Sequence, residues 1–331
     1  MKKIESVIFA LVTFFCLSSC GKKEWYVYEG AVWGTSFHID YCGDKNLNDS
    51  INLVMRRVEL SLSPFDKESL ISKINRGEDA ECDSDMVKVY NCAKYVWRIS
   101  GGAFDPSVAP AVNLWGFGYK GAETQPDEDS VERVKALVGL GKSCIENGFL
   151  KHAEGMEFDF SAITKGFGCD MVGEMLERNG CENFIVEIGG EISLKGKNRR
   201  GEKWHIMIDA PVENNSEVVH ERMAIIELTD CGIATSGNYR NYRETETGKV
   251  WHTIDPRSCR PAEGNVLSAT VIAENAMIAD ALATACMVLP PDSAMAMVKS
   301  VPGSRVMLVL KPVGSSGELE MLVREGFPEI N

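Results

Sequence analysis

VLSATVIAENAMIADALATACMVL, residues Val266–Leu289, changes its hydrophobic period part-way along. Its first part, Val266–Ala273, alternates and is β-branched, which predicts a strand. From Asn275 the spacing turns helical, with Met277, Ile278, Ala281, Leu282, Ala285, Val288 and Leu289 on one broad apolar stripe. Asp280 interrupts that stripe among alanines, and Thr284 follows one turn later. Residues four apart share a helix face, about 5–6 Å between Cβ atoms. A carboxylate buried there is costly unless it is paired or bound to a metal. Asp280 with Thr284 offers two hard oxygen ligands, suited to Mg²⁺ that keeps waters and substrate phosphates in its other positions. The plainer reading is an acid salt-bridged at the core's edge and a threonine bonded to its own helix. Taken alone the pair favours the plainer reading, because so short a match recurs by chance.

Outward from this segment, Trp25–Tyr41 predicts two strands joined near Gly30. Helical spacing runs over Asn48–Ser63, Glu68–Asn75 and Asp83–Ser100, the last stopped by Gly101-Gly102. Asp105-Pro106 opens a turn and a short helix toward Trp115, and Glu128–Leu140 is amphipathic. Short strands near Ser143–Ile145, Leu150–His152 and Met156–Phe158 lead to a helix at Ile163–Arg178. Strands follow at Ile185–Ile188, Ile192–Lys195, His205–Asp209, Met223–Thr229 and Trp251–Ile254, with polar Glu213–Glu221 as a surface loop. A helix at Ser293–Ser300 and a strand at Arg305–Leu310 close the pattern. No repeat or Pro/Gly/Ser linker divides the chain. Helices cluster first and strands later, so the fold class is α+β rather than alternating α/β.

The chain opens MKKIESVIFALVTFFCLSSC, a short basic start and an apolar stretch, Val7–Leu17, too short to span a membrane comfortably. Leu17-Ser18-Ser19-Cys20 resembles the lipobox of bacterial lipoproteins, in which the cysteine is lipidated after cleavage. An ordinary cleaved signal, or a signal anchor with an incidental cysteine, are the other readings. The expectation is a lipoprotein signal peptide over residues 1–19, lipidation at Cys20, and a single domain over 20–331, periplasmic and anchored to a membrane. A formal net charge of −13 argues against nucleic-acid binding, which needs basic patches to neutralise phosphates. With Cys16 removed and Cys20 lipidated, the remaining cysteines are odd in number, and no C-x-x-C occurs. Neither a zinc site nor a disulfide scaffold is indicated. Cys169 and Cys286 fall in helical apolar patterns, as small core side chains do.

Three further stretches can carry chemistry. Asp159-Phe160-Ser161-Ala162-Ile163-Thr164-Lys165-Gly166-Phe167-Gly168 runs from a strand into a helix and places Lys165 in the first turn, where the helix dipole disfavours a cation. An anion bound at that terminus would explain the lysine and the glycines; a snorkelling lysine with helix-packing glycines explains them equally. Gly101–Ser107, GGAFDPS, could present backbone groups and Asp105 to a heterocycle, or could be a helix C-cap followed by an Asp cap with Pro after it. Trp251–Arg257, WHTIDPR, carries His252, one of five histidines and a candidate general base, although a hydrogen-bonded structural histidine is commoner. The Gly-rich stretches 187–191 and 233–239 permit close backbone approach but match neither G-x-G-x-x-G nor a P-loop.

Taken in order, these segments resemble the ApbE family of FAD:protein FMN transferases. The likeness runs from Gly34-Thr35 to about Leu289 and includes Ser63–Asn75, GAFDP at 102–106, DFSAITKG at 159–166, GGE at 189–191, ATSGNY at 234–239, HTIDP at 252–256 and ADALATA at 279–285. The resemblance implies an α+β, T-fold-like arrangement of helices packed on mostly antiparallel sheets. It implies FAD as substrate, Mg²⁺ as cofactor, and transfer of the FMN moiety to a threonine hydroxyl of a target protein as a phosphodiester, with AMP released. The implied partners are exported acceptor domains of membrane redox complexes. Mapped onto matching positions, the metal ligands are the Ala162 carbonyl and the Asp280 and Thr284 side chains. FAD contacts fall on Ala103, Phe104, Asp105, Asp159, Lys165, His252 and Ile254. His252 and Asp280 are the candidate catalytic bases, His252 preferred because a metal-bound carboxylate is the weaker base. Trp33, Phe65 and Cys259 stand where the family commonly has Met, Tyr and Gly. An FAD pyrophosphatase, with water in place of threonine, and a non-catalytic flavin-binding lipoprotein are the alternative functions.

Overall fold

A computed structural model describes residues 23–120, 126–211, 221–238, 242–245, 248–311 and 319–330. The leader, Cys20 and most of the loop expected at Glu213–Glu221 lie outside them. The principal sheet has eight strands, all antiparallel and adjacent in chain order: β1 (Glu24–Val32), β2 (Thr35–Gly43), β3 (Asn183–Ile188), β4 (Glu191–Lys195), β5 (Cys231–Gly237), β6 (Val266–Ala273), β7 (Arg305–Leu310) and β8 (Glu320–Val323). The helices are α1 (Asn48–Leu62), α2 (Leu70–Asn75), α3 (Ser84–Ile99), α4 (Ala109–Leu114), α5 (Glu128–Leu137), α6 (Ser161–Arg178), α7 (Ala276–Val288) and α8 (Pro291–Ser300). This is the expected α+β class.

β6 is buried at every residue because both faces of the sheet are covered. Toward the helices it sends Ala269, Val271 and Ala273, beside Val306 and Leu308 of β7. Toward the other face it sends Ile272, which packs with Met307, Val309 and the hairpin Trp204–Asp209/Arg222–Leu228. From Ala269 onward the two-residue alternation assigns each side chain to one face, after a register irregularity at Val266–Ser268. α7 lies directly on β5 and β6 and against α6, which is why its exposed-looking alanines are all core. The change of period at Asn275 is a real boundary: its side chain caps α7, accepting from the Ile278 N–H at 2.9 Å.

Several expectations are corrected. The first hairpin turns at Trp33-Gly34, both at positive φ (50° and 77°), as a two-residue hairpin loop requires. Gly30 is mid-strand instead, and a Cβ there would lie 2.8 Å from the Phe37 ring. Met156–Phe158 is not a strand; the hairpin is Cys144–Glu146 with Phe149–Lys151. Trp251–Ile254 divides between Gly248–Trp251 and the short pair Ile254–Asp255/Arg260–Pro261. β5 was concealed in the Gly-rich 233–239 stretch. Its small residues are required by α7: a Cβ on Gly232 would collide with the Asn275 and Ala276 backbone. The sheet also takes its first two strands from the helical half, so helices and strands are less segregated than their order suggests. All nine described cysteines are free, with Cys169 and Cys286 fully buried.

Because the obstruction at Gly232 is backbone rather than a movable side chain, Gly232→Ala should lose about 1–3 kcal/mol, the usual cost of overpacking. Gly264→Ala, whose new Cβ would meet nothing nearer than 3.5 Å, should change little. Urea unfolding of the two variants side by side checks the difference.

Candidate active site

α6 and α7 meet through two backbone-level clamps. The Ala276 and Met277 amides, two of the donors a helix start leaves unpaired, donate to the Asp170 carboxylate of α6 at 2.9 and 2.8 Å. Lower on the contact, Gly166 allows the helices to touch, since a Cβ there would strike the Ala276 carbonyl. The Gly166 N–H donates to Asp280 Oδ2 at 3.1 Å. Asp280 is 3 % exposed, and burial pushes its carboxyl above the ordinary value against the opposing pull of Lys165 and the Gly166 amide. Thr284, one turn on, brings its hydroxyl within 3.4 Å of Ser236 Oγ on β5.

Lys165 sits just beyond the first turn of α6, because the helix starts at Ser161 rather than Ile163. Its ammonium reaches Glu191 Oε2 at 2.5 Å, at the start of β4. Burial acts to lower the lysine's pKa, but attraction to Glu191 and Asp280 outweighs it and holds the ammonium above its ordinary value. Glu191 is itself 3 % exposed, and burial pushes its carboxyl up to about 8 despite the nearby ammonium, with Asp280 pushing the same way. Two buried carboxyls thus share one ammonium, and both are raised. Burial, joined at Glu191 by the repulsion of Asp280, outweighs the pull of that ammonium on each.

Ala162 and Thr284 face the same pocket, an open volume of about 330 Å³, with Ala103, Phe104, Asp105, Asp159 and Ile254 around it. The predicted residues from four separate stretches therefore share one cavity. Asp280, Lys165 and His252 do not line it directly. Asp280 is a turn before Thr284, Lys165 three residues after Ala162, and His252 two before Ile254, its ring edge-on to Phe117 with centroids 6.5 Å apart. Among the described residues no three His, Cys, Asp or Glu side chains cluster as a metal site. A set of one carboxylate, one hydroxyl and one carbonyl is the hard-oxygen kind that leaves room for water and phosphate. A wider hollow of about 620 Å³ beside Asp170, Glu174 and Ser193 contains none of the predicted site residues.

Asp105 is the cap that the alternative reading described. Its Oδ1 accepts from Ser107 N–H and Oγ–H at 2.8 and 2.5 Å, and its Oδ2 accepts from the Leu140 amide at 2.9 Å. Asp159 locks the neighbouring loops, its amide donating to the Pro106 carbonyl at 2.8 Å and its Oδ1 accepting from Ser161 N–H at 2.8 Å. Burial pushes both carboxyls upward. Asp170 and Glu191 build this locale with little local signal in the sequence. Asp170 shows only as one acid inside the apolar run Phe167–Met171, and Glu191 only as the end of a Gly-rich turn.

The ApbE family model matches residues 33–308. A FAD:protein FMN transferase of Haemophilus influenzae is 34% identical over 313 residues, covering 89% of this chain and 90% of its own. One from Vibrio cholerae is 35% identical over 303 residues, covering 88% and 90%. The solved flavin transferase ApbE from Vibrio cholerae superimposes with a TM-score of 0.80 at 32% identity, over 92% of this chain and 98% of that one. The apo flavinyl transferase ApbE of Pseudomonas stutzeri also gives 0.80, at 27% identity, over 92% and 95%.

The chain belongs to the ApbE family. It is an enzyme, and the family segment spans every pocket residue described above. The three residues that the resemblance marks as departures each have a defined setting. Cys259 adopts φ 55°, the left-handed region that favours glycine, and its carbonyl accepts from Trp115 Nε1 at 2.8 Å. Phe65 stays 67 % exposed, edge-on to Tyr119 with centroids 6.2 Å apart, so it offers a ring face without a hydroxyl. The third, Trp33, lays its ring over Gly168 of α6.

Burial raises the Asp170 carboxyl to about 7 from 3.8, against the pull of the Met277 and Ala276 amides. The folded state therefore holds this proton where the unfolded chain has released it. Its contribution to stability is greatest below about pH 4 and is lost as pH rises through about 7. Melting curves across that range should show a decline that Asp170→Asn flattens; an equal slope in the variant would contradict the assignment.

Proposed function

We propose that this protein is a Mg²⁺-dependent FAD:protein FMN transferase that attaches FMN through a phosphodiester to a threonine of an exported acceptor domain and releases AMP. The observation that carries the reading is the shared pocket, in which Ala162 and Thr284 stand beside Ala103, Phe104, Asp159 and Ile254, with Asp280 one turn before Thr284 and tied to the Gly166 amide. The names and the 34–35% identity of the relatives support the flavin and the transfer. The lipobox-like Leu17–Cys20 supports export and a lipid tether at Cys20, which would bring the enzyme to periplasmic domains of membrane redox complexes.

In this reading the Ala162 carbonyl and the Asp280 and Thr284 side chains hold the cation. When bound, it supplies positive charge to a pyrophosphate whose own oxygens repel a nucleophile. Lys165 adds a fixed ammonium for the phosphoryl oxygens and the departing AMP. Phe104 and the backbone at Ala103 give the ligand an apolar wall, and the Asp105 and Asp159 bonds keep that wall rigid. His252 takes the threonine proton as the hydroxyl oxygen attacks the FMN-side phosphorus. The P–O bond to AMP breaks, and AMP leaves with the bonding pair. A hydroxyl with a pKa far above neutrality needs such a base within hydrogen-bond reach.

Incubation with FAD, Mg²⁺ and a threonine-bearing acceptor domain, followed by intact mass of the acceptor, tests this. The expected result is one FMN added and AMP released in equal amount. Free FMN beside an unmodified acceptor would instead establish the pyrophosphatase, and stable FAD binding with no AMP would establish the non-catalytic lipoprotein. Asp280→Ala should abolish metal-dependent turnover. His252→Ala should slow the chemical step by roughly 10²–10⁴-fold while leaving FAD binding in place.

A further inference from the structure

Lys165 has two carboxyl neighbours, Glu191 from β4 and Asp280 from α7, with the Cys169 thiol on its own helix. Its ion pair is with Glu191, at 2.5 Å. The surroundings of Glu191 are built to keep it there. The Gly189-Gly190 turn, at φ 64° and 100°, delivers it to the start of β4, and its carbonyl accepts from Cys169 Sγ at 3.1 Å. A Cβ on Gly189 would press on Lys165 Cδ at 3.3 Å, so the glycine forms one wall of the slot that holds the lysine stem. Asp280 meanwhile is tied by the Gly166 amide, on the residue next to Lys165.

We propose that Glu191 is a positioning residue that draws the Lys165 ammonium away from Asp280, so that the Asp280 carboxylate stays available to a divalent cation. This rests on the metal-site reading given above. Two cations cannot share one buried carboxylate without strong repulsion. Asp280 is bonded to the amide of the very next residue, so a lysine with no other partner would turn to that carboxyl and compete with the metal. Glu191 removes that competition and keeps the ammonium close enough to meet phosphate. It touches neither metal nor nucleotide in this scheme; it acts through Lys165.

The test measures Mn²⁺ binding to the nucleotide-free protein by EPR titration, without turnover, in a cycle of Glu191→Gln, Lys165→Met and the double variant. Glu191→Gln should weaken Mn²⁺ binding roughly tenfold or more, the usual effect of losing a residue that orients a metal site. The same substitution made in the Lys165→Met background should cost little, because the competing ammonium is gone. That non-additivity separates positioning from a simple through-space charge effect, which would cost the same in both backgrounds and would overturn the proposal. Lys165→Met alone should bind Mn²⁺ at least as tightly as the parent; weaker binding would also overturn it, whether or not Glu191→Gln folds. If the parent fails to bind Mn²⁺ at all, the metal-site reading fails instead, which is a distinct outcome.

Discussion

The site depends on how closely α6 approaches α7. That contact is possible only because Gly166 has no side chain and because α7 presents alanines. It brings the first two turns of α6 against α7, so that the Gly166 amide, Asp280, Thr284 and the Ala162 backbone belong to one locale. Asp170 fixes the axial register of α7 by taking up its first free amides. A shift of α7 by even part of a turn would break those bonds and carry Asp280 away from Gly166. The sheet beneath enforces the same register, since Gly232 accepts the α7 backbone where any side chain would exclude it.

The electrostatics follow from that geometry. Burying Asp280 and Glu191 with a single ammonium leaves a locale that penalises its own negative charge, and both carboxyls are raised as a result. An isolated pair of this kind adds little to stability, because desolvation offsets much of the attraction. Its value is chemical: two buried carboxyls beside a single ammonium favour a further positive charge at this spot. The loops that form the wall are held by carboxylates turned inward, Asp105 to the Leu140 amide and Asp159 to the Ser161 amide, rather than by contacts with solvent-facing groups.

Much of this was legible in the chain. The alternation over Val266–Ala273 gives β6, Asn275 marks the change to helix, and the family resemblance is what draws the stretches at 102–106, 159–166, 252–256 and 279–285 together. Reading failed where tertiary packing overrides local preference. β5 was obscured because the helix above it demands Gly and Ala where a strand usually carries β-branched residues. The first hairpin was misplaced because Gly30, the visible turn former, serves to admit the Phe37 ring, while Trp33 takes the positive φ. The roles of Asp170 and Glu191 are not legible, because a single acid in an apolar run, or after a glycine pair, does not reveal which distant amide or ammonium it meets.

The order of hydrophobic periods, capping residues and short motifs determined, without any coordinates, an α+β chain with an acid buried in an apolar helix. These signals are local, set by side-chain chemistry over a few turns. Tertiary structure alone decided that Asp105 is spent on the Leu140 amide, that Lys165 pairs with Glu191, and that Asp170 caps a helix more than a hundred residues away. Each of those is a meeting of groups distant in sequence, governed by sheet order and helix contact, and no local pattern encodes the partner.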